Sequence, residues 1–159
     1  GSGCIAISLT KKISDCKIVA SDLSGGALEL ARQNAAKHGV AGRIEFVKSD
    51  LLESIDGRFD FIVSNPPYVP RTDFPTLQKE VLMEPMMAFD GGVDGLDMYR
   101  RIISGASRFM NTGAYIVMEM GDGQRKGIVS IFDRVGGFIV VSEKKDYNEI
   151  ERVIVARKI

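Results

Sequence analysis

Asn65, Pro66, Pro67 and Tyr68 form one uninterrupted run that follows directly on an apolar stretch at residues 59–64. Each proline ring locks its own φ and excludes helical backbone from the residue before it, so the run holds the Asn65 amide and a neighbouring carbonyl in one direction. The Asn65 side-chain oxygen and the Pro66 carbonyl can each accept one hydrogen of a flat NH2 group. With both hydrogens held, the nitrogen lone pair turns out of conjugation and toward an electrophile, the geometry required to methylate an amide or amine nitrogen from a sulfonium. No strong base is required, because the nitrogen becomes acidic only as the new bond forms. Tyr68 adds an aromatic face on which a planar substrate stacks. The plainer reading, a proline turn capping a strand, leaves the combination of all four residues unexplained.

Three further positions suit a nucleotide-like ligand. Gly1-Ser2-Gly3-Cys4-Ile5-Ala6 fits G-x-G-x-x-A, in which Gly1 and Gly3 let a ligand approach the backbone at the start of a helix. Asp22 follows about 20 residues on, the spacing at which a strand-end acid accepts ribose hydroxyls. Asp50 ends the next strand, where a carboxylate accepts from an adenine amino group and Leu51 covers the ring. Each of these has a bland counterpart, a turn aspartate or a helix-start glycine. Their recurrence at successive strand ends favours the ligand, because open α/β sheets bind beyond the carboxyl ends of their strands. Together with residues 65–68 they point to S-adenosyl-L-methionine as cofactor.

The remaining candidates are quieter. Cys4 and Cys16 lack metal-ligand spacing and read as buried reduced thiols, and His38 suits the last turn of a helix before Gly39. Met83, Met86 and Met87 either line a substrate pocket or fill core. Lys144 and Lys145 read as a solvated hairpin turn. No Ser/His/Asp or Cys/His arrangement and no metal cluster is present in the sequence.

The elements that must position these residues follow from periodicity. A helix opens at Cys4, and strands are predicted at residues 17–21, 43–48, 59–64 and 113–120, the third of them as a buried apolar strand. Ser24 caps a helix with Ala27, Leu28, Ala31 and Ala35 on one face. All five prolines fall between positions 66 and 85, predicting a long loop without regular helix up to about Gly92. Helices at residues 94–110 and 124–135 follow, then strands at 138–142 and 150–157, joined too tightly to be anything but antiparallel.

This order is an α/β, mostly parallel, Rossmann-like sheet with a C-terminal antiparallel hairpin. In such a sheet a strand precedes the glycine loop, so residues 1–159 are expected to be one methyltransferase catalytic domain that is N-terminally truncated. The missing strand is expected to leave a gap or rearrangement between the strands at 17–21 and 59–64. A neutral balance of 21 basic and 21 acidic residues argues against a nucleic-acid or anionic-membrane surface. The absence of a long apolar run and of a signal pattern, with free cysteines, predicts a cytoplasmic-type compartment.

The quoted residues, extended through Glu84-Pro85, Phe89-Asp90-Gly91-Gly92-Val93-Asp94-Gly95-Leu96, Tyr99, Glu119-Met120-Gly121, Gln124, Asp146-Tyr147 and Arg152-Val153, resemble the release-factor glutamine methyltransferase family. The resemblance implies that Gly1 and Gly3 close the cofactor loop, Asp22 holds the ribose, and Asp50 with Leu51 flanks the adenine. Position 51 is leucine where some members carry an aromatic residue. It further implies that residues 65–68 receive the glutamine of a Gly-Gly-Gln loop in a peptide-chain release factor. Two other activities remain open at this point. An amino methyltransferase acting on a nucleic-acid base would use the same four residues, and a nicotinamide dehydrogenase would use the glycine loop and Asp22. A non-catalytic remnant is a third reading.

Overall fold

The computed structural model describes all residues 1–159 and divides into two compact units, Gly1–Asp56 and Gly57–Ile159. Six strands form two sheets rather than one, β1-β2 and β3-β4-β6-β5.

In the first unit, α1 (Cys4–Lys12) leads to β1 (Ile18–Asp22), α2 (Gly25–Lys37) and β2 (Ile44–Lys48). β1 and β2 are parallel and in register from Ile18 opposite Ile44 to Asp22 opposite Lys48, which sets the two carboxyl ends side by side. Ala6, Ile7, Ala35, Val40 and Ile44 form the core, with Ile18, Ala20 and Phe46 packed against it. The ends of the helices are satisfied by side chains. The Ser24 hydroxyl accepts from Ala27 N at 3.2 Å at the start of α2, as its residue type predicts. At the end of α1 the Arg43 guanidinium donates to the carbonyls of Thr10, Ile13 and Ser14 at 2.6, 3.1 and 2.6 Å, meeting acceptors that the helix leaves open.

In the second unit, β3 (Phe59–Ser64) is followed by a 3₁₀ turn at Arg71–Thr76, α3 (Lys79–Leu82), a 3₁₀ turn at Met86–Ala88, and α4 (Asp97–Ala106). Then come β4 (Met110–Glu119), α5 (Arg125–Val135), β5 (Phe138–Lys145) and β6 (Glu151–Lys158). β3 runs parallel to β4, whereas β6 is antiparallel to both β4 and β5. Tyr99, Ile103, Ile116, Met118, Ile128, Phe132, Ile154 and Ala156 are buried. The buried strand positions are cross-strand partners, Ile116 with Ala156 and Met118 with Ile154, so they share one face of the sheet.

Several expectations need correction. β3 is not buried: Phe61 is 60% exposed and stacks on Tyr115, its register partner, at 5.7 Å between ring centres. It is the outermost strand of its sheet, and Phe61 and Val63 alternate onto the face opposite the packed one. Cys4 is free but exposed, because the first turn of α1 buries Ala6 and Ile7 instead. The proline-rich segment contains short helical turns, one of them around Pro75. α4 begins at Asp97, three residues late, since residues 90–96 are engaged in loop contacts described below.

Gly3 shows how tightly α1 is seated. It adopts φ +85, and a Cβ there would stand 3.0 Å from the Ala31 Cβ on α2. Gly39, with φ +68, has nothing within 4 Å of its Cβ position. Gly39→Ala is therefore expected to cost only the left-handed backbone penalty of about 1–2 kcal/mol. Gly3→Ala should cost about 1–3 kcal/mol more through overpacking. Urea unfolding of the two variants measures the difference, and equal losses would show that α1 shifts freely over α2.

Candidate active site

The sequence-selected residues fall into two sets, one in each unit. Gly1, Gly3, Asp22, Asp50 and Leu51 belong to the first. The Asn34 amide donates to the Ser2 carbonyl at 3.0 Å and so fixes the glycine loop to α2, while Gly3 packs on the same helix. Asp22 Oδ1 accepts from Ser24 N at 2.7 Å, and the Gly1 amine lies against Oδ2. Asp22 thus stands between the glycine loop and the start of α2, with its side chain only 25% exposed.

Asp50 and Leu51 follow β2. Ser49 N donates to the Asp22 carbonyl at 3.1 Å, extending the parallel pairing by one step. The buried Ser49 hydroxyl accepts from Ser54 N at 2.9 Å, and the Ser21 hydroxyl donates to the Leu51 carbonyl at 3.3 Å. Leu51 has φ 51, a left-handed conformation that costs a non-glycine residue about 1–2 kcal/mol. Strain of this sort persists where surrounding bonds over-determine the backbone, and it concentrates at ligand sites.

The second set is residues 65–68 at the end of β3. Asn65 is exposed and Pro66 is buried. Within residues 57–159 the Asn65 amide makes no hydrogen bond, which leaves it open to an external group. Tyr68 is held at both ends. Its hydroxyl donates to Glu119 Oε1 at 3.3 Å, and its carbonyl accepts from Gln124 Nε2 at 2.8 Å. Burial first, then the Glu119 charge and hydrogen bond, push the Tyr68 phenol above its usual value of 10.0, while the Arg152 guanidinium pulls the other way.

The stretch from Phe89 to Leu96 is the bed for this loop. Val69 N donates to the Phe89 carbonyl and Gly91 N to the Val69 carbonyl, each at 2.9 Å. Gly91 and Gly95 approach so closely that a Cβ would sit 2.7 Å from the Tyr68 backbone in one case and 2.5 Å from the Tyr68 carbonyl oxygen in the other. Gly95 also needs its φ of +75, so no larger residue serves there. Arg71 pairs with both oxygens of Asp90 at 3.0 and 3.1 Å, which holds the Asp90 carboxyl below the usual carboxylate range.

Sequence reasoning named Glu119, Gly91, Gly95 and Gln124 only through the resemblance and attached no role to them. Their partners are distant in the chain, so no local pattern reveals the contacts. Asp146 and Arg152, also quoted there, organise the hairpin turn: Asp146 accepts from Asn148 N at 2.8 Å and Ile150 N at 3.1 Å and pairs with Arg152 at 2.9 Å. Met83, Met86 and Met87 are 86%, 62% and 54% exposed, which excludes core filling. His38 caps the end of α2 through its backbone, and no group of side chains could hold a metal ion.

The alternation of helices with parallel strands and the C-terminal antiparallel pair is that of a Rossmann-like methyltransferase, a class that takes its methyl group from S-adenosyl-L-methionine. Solved structures agree on the fold. A Thermus thermophilus TrmN superposes with TM-score 0.69 at 22% identity, covering 100% of this chain and 42% of that one. A ribosomal protein L11 methylase from Lactobacillus delbrueckii gives 0.70 at 22% identity, covering 100% and 66%. Residues 1–87 match the methyltransferase small domain model, and the chain belongs to that family. Among curated relatives, a release factor glutamine methyltransferase of Geobacter sulfurreducens is 43% identical over 159 residues, covering 99% of this chain and 55% of the relative. A ribosomal protein uL3 glutamine methyltransferase of Francisella tularensis is 41% identical over 125 residues, covering 78% of this chain and 40% of the relative. The chain therefore spans about half the length of the curated relatives it matches. No helix is long and apolar enough to cross a membrane.

Alkaline titration followed by tyrosinate absorbance tests the surroundings of Tyr68. The component lost in Tyr68→Phe should titrate above 10.0. Glu119→Gln should lower that midpoint, because a neutral neighbour no longer opposes the phenolate, without bringing it below the usual value, since burial remains. An unchanged midpoint in Glu119→Gln would show that the carboxylate does not face the ring.

Proposed function

We propose that the chain is the methyl-transfer part of an S-adenosylmethionine-dependent enzyme that methylates the side-chain amide nitrogen of glutamine in the Gly-Gly-Gln loop of a peptide-chain release factor. The observation that carries this reading is an exposed Asn65 amide without a partner in its unit, set on a loop whose next residues are rigid by proline and by the bonding of Tyr68. An acceptor held ready for a guest NH2 group is what amide methylation needs. The high identity to relatives named for release-factor glutamine methylation, over nearly the whole chain, supports the substrate. Such a reaction belongs in the cytoplasm, where translation ends.

The first unit fits the cofactor. Asp22 presents a carboxylate beside the glycine loop for ribose hydroxyls, Gly1 has nothing within 4 Å of its Cβ position, and Asp50 with Leu51 offers an acceptor and an apolar cover for adenine. Bound there, S-adenosyl-L-methionine supplies an electrophilic methyl group on sulfur. Asn65 and the Pro66 carbonyl hold the two amide hydrogens of the substrate and orient its lone pair. Tyr68, kept as a neutral phenol by burial and by Glu119, gives the flat amide a face to lie on. A glutamine of a ribosomal protein is the second reading, favoured by the relative named for uL3. A nucleic-acid base is disfavoured by the neutral charge balance.

Methyl transfer by the intact protein to release factor, ribosomal protein, DNA and RNA decides among these substrates, and transfer to nucleic acid alone would reject the proposal. Asn65→Ala is expected to lower turnover on the order of 100-fold, the worth of one oriented transition-state hydrogen bond, with cofactor affinity nearly unchanged. Near-normal turnover would reduce Asn65 to a strand cap. Asp22→Ala is expected to do the opposite, weakening calorimetric cofactor affinity while turnover at saturating cofactor falls little, because ribose contacts are equal in ground and transition states.

A further inference from the structure

Residues 65–68 have to keep one shape while their own backbone offers few means of doing so. Pro66 and Pro67 have no N–H, and the next proline, Pro70, removes another donor. The Tyr68 carbonyl is satisfied by a side chain far away in sequence. Gln124, half-buried just before α5, donates through Nε2 to Tyr68 O at 2.8 Å and to Gly95 O at 3.2 Å, and accepts through Oε1 from Gly121 N at 2.9 Å. Both hydrogens of its NH2 group are thus used on main-chain carbonyls. Turned over, the amide would set its oxygen against two carbonyls and its NH2 against an N–H, so the bonding pattern permits one orientation.

This side chain reaches the reaction centre through the backbone. Its bond to the Tyr68 carbonyl fixes the peptide plane that follows Tyr68. On the other side the rings of Pro66 and Pro67 freeze two φ angles, so few soft torsions remain between that plane and Asn65. Its second bond, to Gly95, ties the same point to the glycine bed beneath the loop. Its third, from Gly121, ties it to the segment just beyond Glu119, whose carboxylate holds the Tyr68 hydroxyl. The Gly91 and Gly95 Cβ positions are closed by the Tyr68 backbone, so the fit leaves the loop no second seat on that side.

We propose that Gln124 is a positioning residue for methyl transfer, one that shapes residues 65–68 through the Tyr68 and Gly95 carbonyls without touching substrate. The proposal rests on the functional reading above, and it assigns to Gln124 the order of the loop in which that chemistry occurs.

Two variants of the intact protein test it. Gln124→Glu keeps the size and the acceptor for Gly121, but near pH 8 it sets a carboxylate against two carbonyls. Its turnover is expected to fall roughly 10- to 100-fold, as for the loss of one or two oriented hydrogen bonds, with the KM for cofactor changed less than about threefold. As pH is lowered from about 8 to about 5.5, protonation of that carboxyl, whose pKa the facing carbonyls raise above its usual ~4.3, restores one donor. The ratio of Gln124→Glu to wild-type turnover should then climb, whereas the ratio for Gln124→Ala stays flat. Amide hydrogen exchange gives a second readout that does not depend on activity. Protection at Val69 and Gly91 should drop in Gln124→Ala while the β5-β6 hairpin keeps its own. Wild-type turnover in Gln124→Glu near pH 8, a flat pH ratio, or unchanged exchange at Val69 and Gly91 would each overturn the assignment. So would a loss of protection spread over the whole unit, which marks an ordinary structural residue. If the wild-type protein transfers no methyl group to any glutamine substrate, the functional reading fails, and the exchange comparison still decides whether Gln124 orders the loop.

Discussion

A loop rich in proline has more carbonyls than N–H groups, and a carbonyl drawn into the interior needs a donor from somewhere. That imbalance governs the second unit. All five prolines of the chain lie between residues 66 and 85, and the shortfall is met from outside the segment. The Gln124 side chain supplies the Tyr68 carbonyl within it, and the bed beneath is braced in the same way, Gly95 O by the same amide and Gly91 O by Asp97 N. Val69 is paired on both sides, to Phe89 and to Gly91, in a short parallel bridge opposite Asp90. The glycines at 91 and 95 are the steric counterpart of the same demand, since only a bare backbone lets the donors and the loop come this close. Tyr99 adds a further brace from α4: its buried hydroxyl donates to Glu119 O at 2.7 Å, fixing the strand end from which Glu119 reaches Tyr68.

The first unit solves a smaller problem of the same type. Parallel pairing sets the ends of β1 and β2 side by side, and the chain has to leave both strands without burying unpaired groups. Ser21, Ser24 and Ser49 each supply a hydroxyl at those exits, short polar side chains suited to local backbone bonding. The left-handed turn at Leu51 is tolerated because its carbonyl and the flanking Ser49 are both tied down. The acids at 22 and 50 are therefore mounted on strand ends whose backbone is already determined.

What the sequence discloses and what it hides follow from the range of the interactions. The four residues at 65–68, the cap at Ser24 and the alternation of helix and strand depend on neighbours within a few positions, and all are visible in the order of residue types. The role of Gln124 is invisible because its partner Tyr68 lies 56 residues away and is a main-chain atom that any residue possesses. β3 misleads for another reason. Its apolar residues alternate onto both faces of the strand, which reads as full burial, but Phe61 and Val63 lie on the face opposite the packed one. The start of α4 is displaced because residues 91–96 spend their backbone on the loop instead of on a first helical turn. Cys4 shows the limit of residue-type habits, which give an average burial and carry no knowledge of which side of a helix the chain enters from.

Gln124 grips only main-chain atoms, those of Tyr68, Gly95 and Gly121. Such a grip is blind to the identity of the side chains it organises. The exposed side chains of Met83, Met86 and Met87 lie outside that grip, so exchanging them leaves the bonds to Tyr68, Gly95 and Gly121 in place. Variation on that exposed stretch is thereby separated from the shape of residues 65–68.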